Sequence, residues 1–495
     1  MSPSIRMHHV HFSYENLATE LLSDATLAFH PGWASLCGVN GSGKTTLFHL
    51  ISGRLTPTKG HIEVQGRIYN VPQDTEFLPS EWEEFCGIHS RLAIRLRTAF
   101  GIEADWGTRW SSLSMGERKK LQLAIALSLE PDILLVDEPT NHVDENARQV
   151  ILEELQRFRG VGILSSHDRL LLNELCTTTV FIDAGTCTPF HAPYDEAKQA
   201  LSQLELAASR SQQDKKRELA KTQTSIQRQW EKIDQRKGAL SKRNVSKHDN
   251  DARAKINLAK VTGADFSDSR KKRVLETRKG NLQADLSEIR VKKMYNLGVF
   301  FSEVPLQKRL YMPAGVIETG HLQISHPEIR LEPGEKMALT GTNGAGKSTF
   351  MQHWWDQLKL PHAVMAKQEL FRLEQETLLR KIHEMPSKRK GDLFTLVSCL
   401  GSDPKSLSAG SIPSPGMWQK IVMAKAILEG APVLFLDEPT NHMDLAAIEV
   451  LEEALRMYQG SVVVISHDRR FVEAICSAEF RFSRNGSCTK VEKIE

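Results

Sequence analysis

Two stretches 300 residues apart are almost identical: DEPTNHVD at 137–144 and DEPTNHMD at 437–444. Two further pairs run in the same order at nearly the same separation. GVNGSGKTT (38–46) is matched by GTNGAGKSTF (341–350), and SSHDR (165–169) by ISHDR (465–469). A chain that repeats three motifs in one order carries one kind of domain twice. The sequence therefore divides into a first copy at 1–193, a second at 301–495 and an unrelated segment at 194–300.

The length fits this division, since 495 residues allow two or three domains, and 40% hydrophobic content is enough for packed cores. No apolar run approaches the roughly 18 residues that would span a bilayer. The opening MSPSIRMHHVHFSY lacks the apolar stretch of a secretory signal, so a cytoplasmic location is expected. The seven cysteines form no C-x-x-C pair, which excludes a zinc or disulfide framework and fits a reducing compartment.

The glycine-rich stretches match G-x-x-x-x-G-K-[ST]. The first follows the strand-like run Trp33–Cys37 and precedes the helix-like run Thr46–Leu50, so an α/β fold with a strand–loop–helix unit is expected. Such a loop turns successive backbone N–H groups toward phosphate oxygens, and the helix N-terminus adds positive potential. The candidate nucleotide-binding residues are Gly38, Asn40, Gly41, Ser42, Gly43, Lys44, Thr45 and Thr46 in the first copy. In the second they are Gly341, Asn343, Gly344, Ala345, Gly346, Lys347, Ser348 and Thr349. Lys44 and Lys347 would reach the β- and γ-phosphates of ATP, and Thr45 and Ser348 would bind Mg²⁺.

ILLVDE (133–138) and VLFLDE (433–438) read as buried parallel strands ending in acids. Asp137 and Asp437 would lie near the metal. Glu138 and Glu438 would polarise the attacking water as general bases. His167 and His467 each follow an apolar strand-like run. A lone histidine there is more often structural, but two at one offset from an acidic strand tip suit a γ-phosphate sensor. Gln73 and Gln368 stand where a metal- and water-contacting glutamine would lie.

LSMGER (113–118), between the phosphate loop and the acidic strand, resembles the signature motif of ATP-binding cassette ATPases. With DEPTNH in both copies, the whole chain resembles the ABC-F family. That resemblance implies two P-loop ATP-binding cassettes joined by a long antiparallel α-helical hairpin linker and closing head to tail within one chain. Each ATP would lie between the phosphate loop of one cassette and the signature of the other. Ser114 and Gly116 would then serve the second site, and Ser414 and Gly416 the first. Tyr14 matches the aromatic that stacks on adenine.

The second copy departs from the pattern. Its signature position reads PSPGMWQK (413–420), with Pro413 and Met417 in place of the leucine and glutamate of the first. It shows no aromatic at the offset of Tyr14; Tyr311 comes too early and His321 is a poor substitute. The two sites are not expected to be equivalent. The short separations Gly41–Ser114 and Gly344–Ser414 leave little room for an inserted arm, and no C-terminal extension is expected beyond His467.

The middle segment is the basic part of the chain. Residues 201–295 hold 24 Lys and Arg against 12 Asp and Glu, a local +12 on a chain of net +3, which leaves −9 for the remainder. Leu219, Ile226, Trp230 and Ile233 form one stripe, and Leu275, Leu282, Leu286 and Ile289 another, which predicts two antiparallel helices. About 35 residues per arm would reach ~50 Å, with 238–265 as a polar tip. Such a segment can be a solvated spacer, but an excess of one sign points to an acidic partner such as RNA. The resemblance implies the ribosome, with the linker meeting rRNA and peptidyl-tRNA. The functional expectation is an ATPase that acts on translating ribosomes, of which a subset protects against antibiotics. The competing expectations are the motor subunit of an exporter and a regulatory ATPase that grips a protein partner.

Overall fold

The computed structural model describes residues 2–15, 20–141, 143–239, 264–288, 309–320, 322–358, 360, 362–367, 372–402, 414–441 and 443–494. The chain forms two compact units, Met1–Ala197 with Tyr295–Glu495, and Lys198–Met294. Among the described residues no helix is long and apolar enough to cross a membrane.

In the first copy the apolar runs become a six-stranded sheet in the order Ile68–Val71, Ile133–Asp137, Val161–Ser165, Gly32–Cys37, Thr178–Asp183, Thr186–Phe190. All neighbours are parallel except the last pair. Every residue of Ile133–Asp137 and of Val161–Ser165 is buried, as expected for strands covered on both faces. Gly32–Cys37, the strand feeding the phosphate loop, lies between Val161–Ser165 and Thr178–Asp183. The loop thus opens at the carboxyl ends of the central strands, where open α/β sheets bind ligands. A separate antiparallel sheet, Leu22–Phe29, Ser4–Phe12, Lys59–Gln65, packs through Ile5, Val10 and Phe29 onto Leu47 and Phe48 of the helix after the loop.

The second copy repeats the plan in an eight-stranded sheet. Its central order is Ala478–Asn485, Lys336–Gly341, Ser461–Ile465, Val433–Asp437, Val364–Ala366. Here part of the antiparallel layer joins the main sheet, because Leu322–His326 pairs parallel with Cys488–Ile494. Phe350, Trp354, Phe435 and Phe482 fill this core almost without exposure; each such side chain contributes roughly 1.5–3 kcal/mol on burial.

In the other unit the helix Tyr194–Ala239, from Lys198 onward, pairs antiparallel with the helix Ala264–Glu288. Lys215 meets Asp285 at 2.9 Å, Glu218 pairs with Arg278, and the Lys272 ammonium sits 3.3 Å from the centroid of the Trp230 ring. Partners therefore fall in number on one helix as they rise on the other. Leu282 and Thr222 are buried at 7% and 6% exposure, whereas Trp230, expected on the interior stripe, is 51% exposed. The half-exposed residue still meets the opposite helix, because its ring serves as a platform for the lysine cation. The tip, Ile289 and the side chain of Ile233 lie outside the described residues.

Candidate functional site

The phosphate loop of the first copy turns into the helix Lys44–Ile51 at Gly43, whose φ of 102° favours glycine. At Gly341 of the second, an added Cβ would lie 2.2 Å from the carbonyl oxygen of Phe482. Both lysines lie along their own loops. Lys44 Nζ donates to the carbonyls of Gly38 and Val39 at 2.8 and 3.2 Å. Lys347 Nζ donates to those of Gly341 and Thr342 at 2.7 and 3.0 Å, and lies 3.3 Å from His467 Nε2.

The acids close on the same point. Thr45 Oγ1 donates to Asp137 Oδ2 at 2.8 Å, and a bond from Ser348 opposes the upward push of burial on the Asp437 carboxyl. Glu138 and Glu438 both stand in the left-handed region, at φ 48° and 47°. Their N–H groups are held by the Ser165 and Ile465 carbonyls at 2.8 and 2.9 Å. A non-glycine residue held there costs roughly 1–3 kcal/mol and clusters at functional sites. Here it aims each carboxyl back at a histidine: His167 Nε2 lies 3.2 Å from Glu138 Oε1, and His467 Nε2 3.4 Å from Glu438 Oε1.

Burial, with the Asp137 carboxylate beside it, pushes the Glu138 carboxyl up to about 8. Burial also raises Glu438 to about 8, against the pull of Lys347. Burial and then the nearby lysine push His167 down to about 3 and His467 to about 4, so both rings are neutral.

Two clefts gather these residues. One, of about 370 Å³, is lined by Tyr14, Asn40, Gly41, Gly43 to Thr46, Gln73, Asp137, Glu138 and His167. Tyr14 is turned so that its hydroxyl meets Thr46 Oγ1 at 3.0 Å. The other, of about 890 Å³, holds Asn343 to Thr349, Asp437, Glu438 and His467, and is walled by Asn40, Gln73, Thr140, Asn141, Val143 and Arg148 of the first copy. Gln368, Pro413, His142 and His442 lie outside the described residues.

A nucleotide with Mg²⁺ fits the first cleft. The threonine hydroxyl, the aspartate carboxylate and the glutamine amide are hard oxygen donors of the kind Mg²⁺ takes. The Ser42 hydroxyl, 8% exposed, is left without a partner among the described residues at the mouth of the loop.

The signature residues are not brought there. Among the described lining residues neither cleft includes Ser114, Gly116, Ser414 or Gly416. Ser114 instead closes a capping box with Glu117, and Ser414 caps its own helix at the Met417 N–H. At the phosphate loop it is the end of the acidic octet that reaches across between the copies. The Asn40 N–H donates to Asp444 Oδ2 at 2.9 Å, while Asp444 Oδ1 caps the helix Leu445–Met457.

Sequence reasoning missed Asp444, although the octet ends on it and aspartate is a favoured helix cap. It also missed Lys119, 2% exposed, whose ammonium donates to the carbonyls of Pro72, Gln73 and Asp137 at 2.6, 3.1 and 3.4 Å. In the second copy Gln419 takes that place and donates to the Asp437 carbonyl at 2.7 Å.

A family model described as "ABC transporter" matches residues 22–141 and 324–441. The ribosome protection protein VmlR of Bacillus subtilis (strain 168) is 29% identical over 91% of this chain and 82% of its own length. The tylosin resistance ATP-binding protein TlrC of Streptomyces fradiae is 27% identical over 95% of both chains. Arabidopsis thaliana ABC transporter F family member 2 is 24% identical over 96% of this chain and 76% of its own. Among solved structures, the archaeal ribosome recycling factor aABCE1, in complex with ribosomal stalk protein aP1, matches at TM-score 0.62 and 15% identity. It covers 98% of this chain and 89% of its own, and at that identity the match concerns the fold.

Proposed function

Because this chain belongs to the ABC-F type of tandem ATP-binding cassette protein, we propose that it hydrolyses ATP at two sites and uses the cycle to act on the ribosome. Its basic hairpin would work near peptidyl-tRNA in the cytoplasm and modulate translation. The ribosome protection and tylosin resistance in the names of two relatives make antibiotic resistance the biological readout to test.

The observation that carries this reading is the larger cleft, because both cassettes build it. Nucleotide held by Asn343–Thr349 would meet residues of the other cassette, so ATP binding and cassette closure become one event. Thr45 with Asp137 and Gln73, and Ser348 with Asp437, would hold Mg²⁺, which supplies charge neutralisation at the β- and γ-oxygens and favours the ionised form of the adjacent glutamate. Glu138 and Glu438 take the proton of the attacking water; a base whose pKa lies near the working pH is effective in that role. Neutral His167 and His467 hold those carboxyls in place and face the γ-phosphate.

Ribosome sedimentation tests the reading. The Glu138→Gln/Glu438→Gln protein with ATP should travel with ribosomes at moderate salt and leave them when ATP is omitted. Recovery with membranes instead would favour an exporter motor, and recovery with neither would favour a regulatory ATPase with a protein partner.

A further inference from the structure

Arg148 is a cation of the first cassette that stands in the cleft of the second cassette's phosphate loop. It lies one turn after the octet, on the helix Glu145–Gln156, and lines the larger cleft with Lys347, Glu438 and His467. Its side chain is 16% exposed. Its charge is near enough to His467 to be one of the causes that lower that ring's pKa, after burial and Lys347. The guanidinium has a single ion-pair partner among the described residues, Asp168 Oδ2 at 3.7 Å, beyond hydrogen-bond distance. A guanidinium carries five N–H donors in a rigid fork suited to phosphate oxygens.

The matching position in the second cassette, 300 residues on, is Ile448, buried at 2% exposure. Both residues line the larger cleft, so of this equivalent pair only the first cassette's member brings a cation to it.

We propose that Arg148 is a catalytic residue supplied in trans. The guanidinium of the first cassette would bind the γ-phosphate held by the second cassette's loop and stabilise charge on the phosphoryl group in transfer. This rests on the reading of the second site as hydrolytic. In that reaction a water oxygen bonds to the γ-phosphorus as the bond to the bridging oxygen breaks. The water's proton passes to Glu438, and ADP leaves with the electron pair. Arg148 exchanges no proton; it only lowers the energy of the charge that develops. Cassette closure and chemistry are thereby coupled at one site and not at its counterpart.

The test uses the full chain with the first site silenced by Glu138→Gln. Adding Arg148→Ile, which copies the residue of the second cassette, should lower kcat about 100-fold or more with KM for ATP little changed. Arg148→Lys should retain part of the rate and guards against a packing fault in the isoleucine variant. Trapping of ADP with fluoroaluminate, a mimic of the transferring phosphoryl group, should be lost in Arg148→Ile. Trapping with beryllium fluoride and binding of a fluorescent ATP should persist.

If Arg148→Ile turns over and traps ADP–fluoroaluminate like its Glu138→Gln parent, the proposal is overturned. Equal loss of all three nucleotide complexes in both Arg148 variants overturns it too, since Arg148 would then serve folding or ground-state binding. A Glu138→Gln parent that neither hydrolyses nor traps removes the hydrolytic reading itself, visibly and before Arg148 is changed.

Discussion

The Asn40 N–H donates to Asp444 Oδ2 at 2.9 Å, so the phosphate loop of the first cassette is tied to the last acid of the second cassette's octet, 404 residues away. The same carboxylate caps the helix behind it through the Ala447 N–H at 2.9 Å, and the residue is 1% exposed. One side chain thus joins the nucleotide loop of one cassette to a helix of the other. Asp444→Asn keeps one acceptor oxygen and turns an NH2 toward the other N–H, so it should retain one of the two bonds and unfold at a midpoint between the parent and the alanine variant. Asp444→Ala removes both and should lose about 1–2 kcal/mol. Denaturant melts compare them, and equal midpoints for the two variants would refute the dual role.

The two glutamates give a second prediction. Glu138→Gln with Glu438→Gln should leave ATP binding intact and abolish turnover, because each change removes a base and keeps the shape. The single variants should differ. Glu438 shares its cleft with Arg148, and under the proposed closure it would also meet the regular signature Leu113–Glu117. Its loss should therefore cost more than that of Glu138, whose partner signature carries Pro413 and Met417. Steady-state phosphate release measures both, and equal rates would argue against an asymmetric pair.

Lys119 provides a third. Its ammonium holds the carbonyls of Gln73 and Asp137 together from behind the first site. Lys119→Gln, which imitates Gln419, should keep one donor and much of the activity. Lys119→Met should leave carbonyls unpaired, at roughly 1–3 kcal/mol, and loosen the metal-binding pair. The Mg²⁺ concentration for half-maximal ATPase should then rise several-fold in Lys119→Met and little in Lys119→Gln. An unchanged Mg²⁺ profile in both would make Lys119 a packing residue.

Lys119 also marks where reading the sequence stops. ILLVD and VLFLD were legible as central strands because a strand buried on both faces must be apolar throughout, and the phosphate loops because their glycines follow a strand and precede a helix. In RKK (118–120), by contrast, nothing separates the buried lysine from its neighbours; only the packed helix turns Lys119 inward. Asp444 was visible as a motif residue, but its bond to Asn40 depends on how two domains meet. Arg148 was hidden for the same reason, because one helix turn past the octet looks like ordinary surface until the other cassette is set against it. Trp230 was legible only in part: an aromatic at the right spacing suggests a buried seam residue, whereas it is half exposed and meets the opposite helix through a lysine cation.

The hairpin tip carries the functional claim. Lys242, Arg243, Lys247, Arg253 and Lys255 crowd one short polar segment, which lies outside the described residues. The segment is polar in sequence, and its charges are expected to serve a partner rather than the cassettes. Their removal should then affect the ATPase core little, as exposed charges contribute roughly 0–1 kcal/mol each. If they meet RNA phosphates, each lost contact should weaken binding at all sequences and flatten its salt dependence by about one unit in the log–log slope. A variant with all five changed to alanine should therefore hydrolyse ATP alone at a near-parental rate, yet fail to sediment with ribosomes in the Glu138→Gln/Glu438→Gln background. Sedimentation at the parental level over a range of salt would make the hairpin a spacer, and ribosome binding would then have to come from the cassettes themselves.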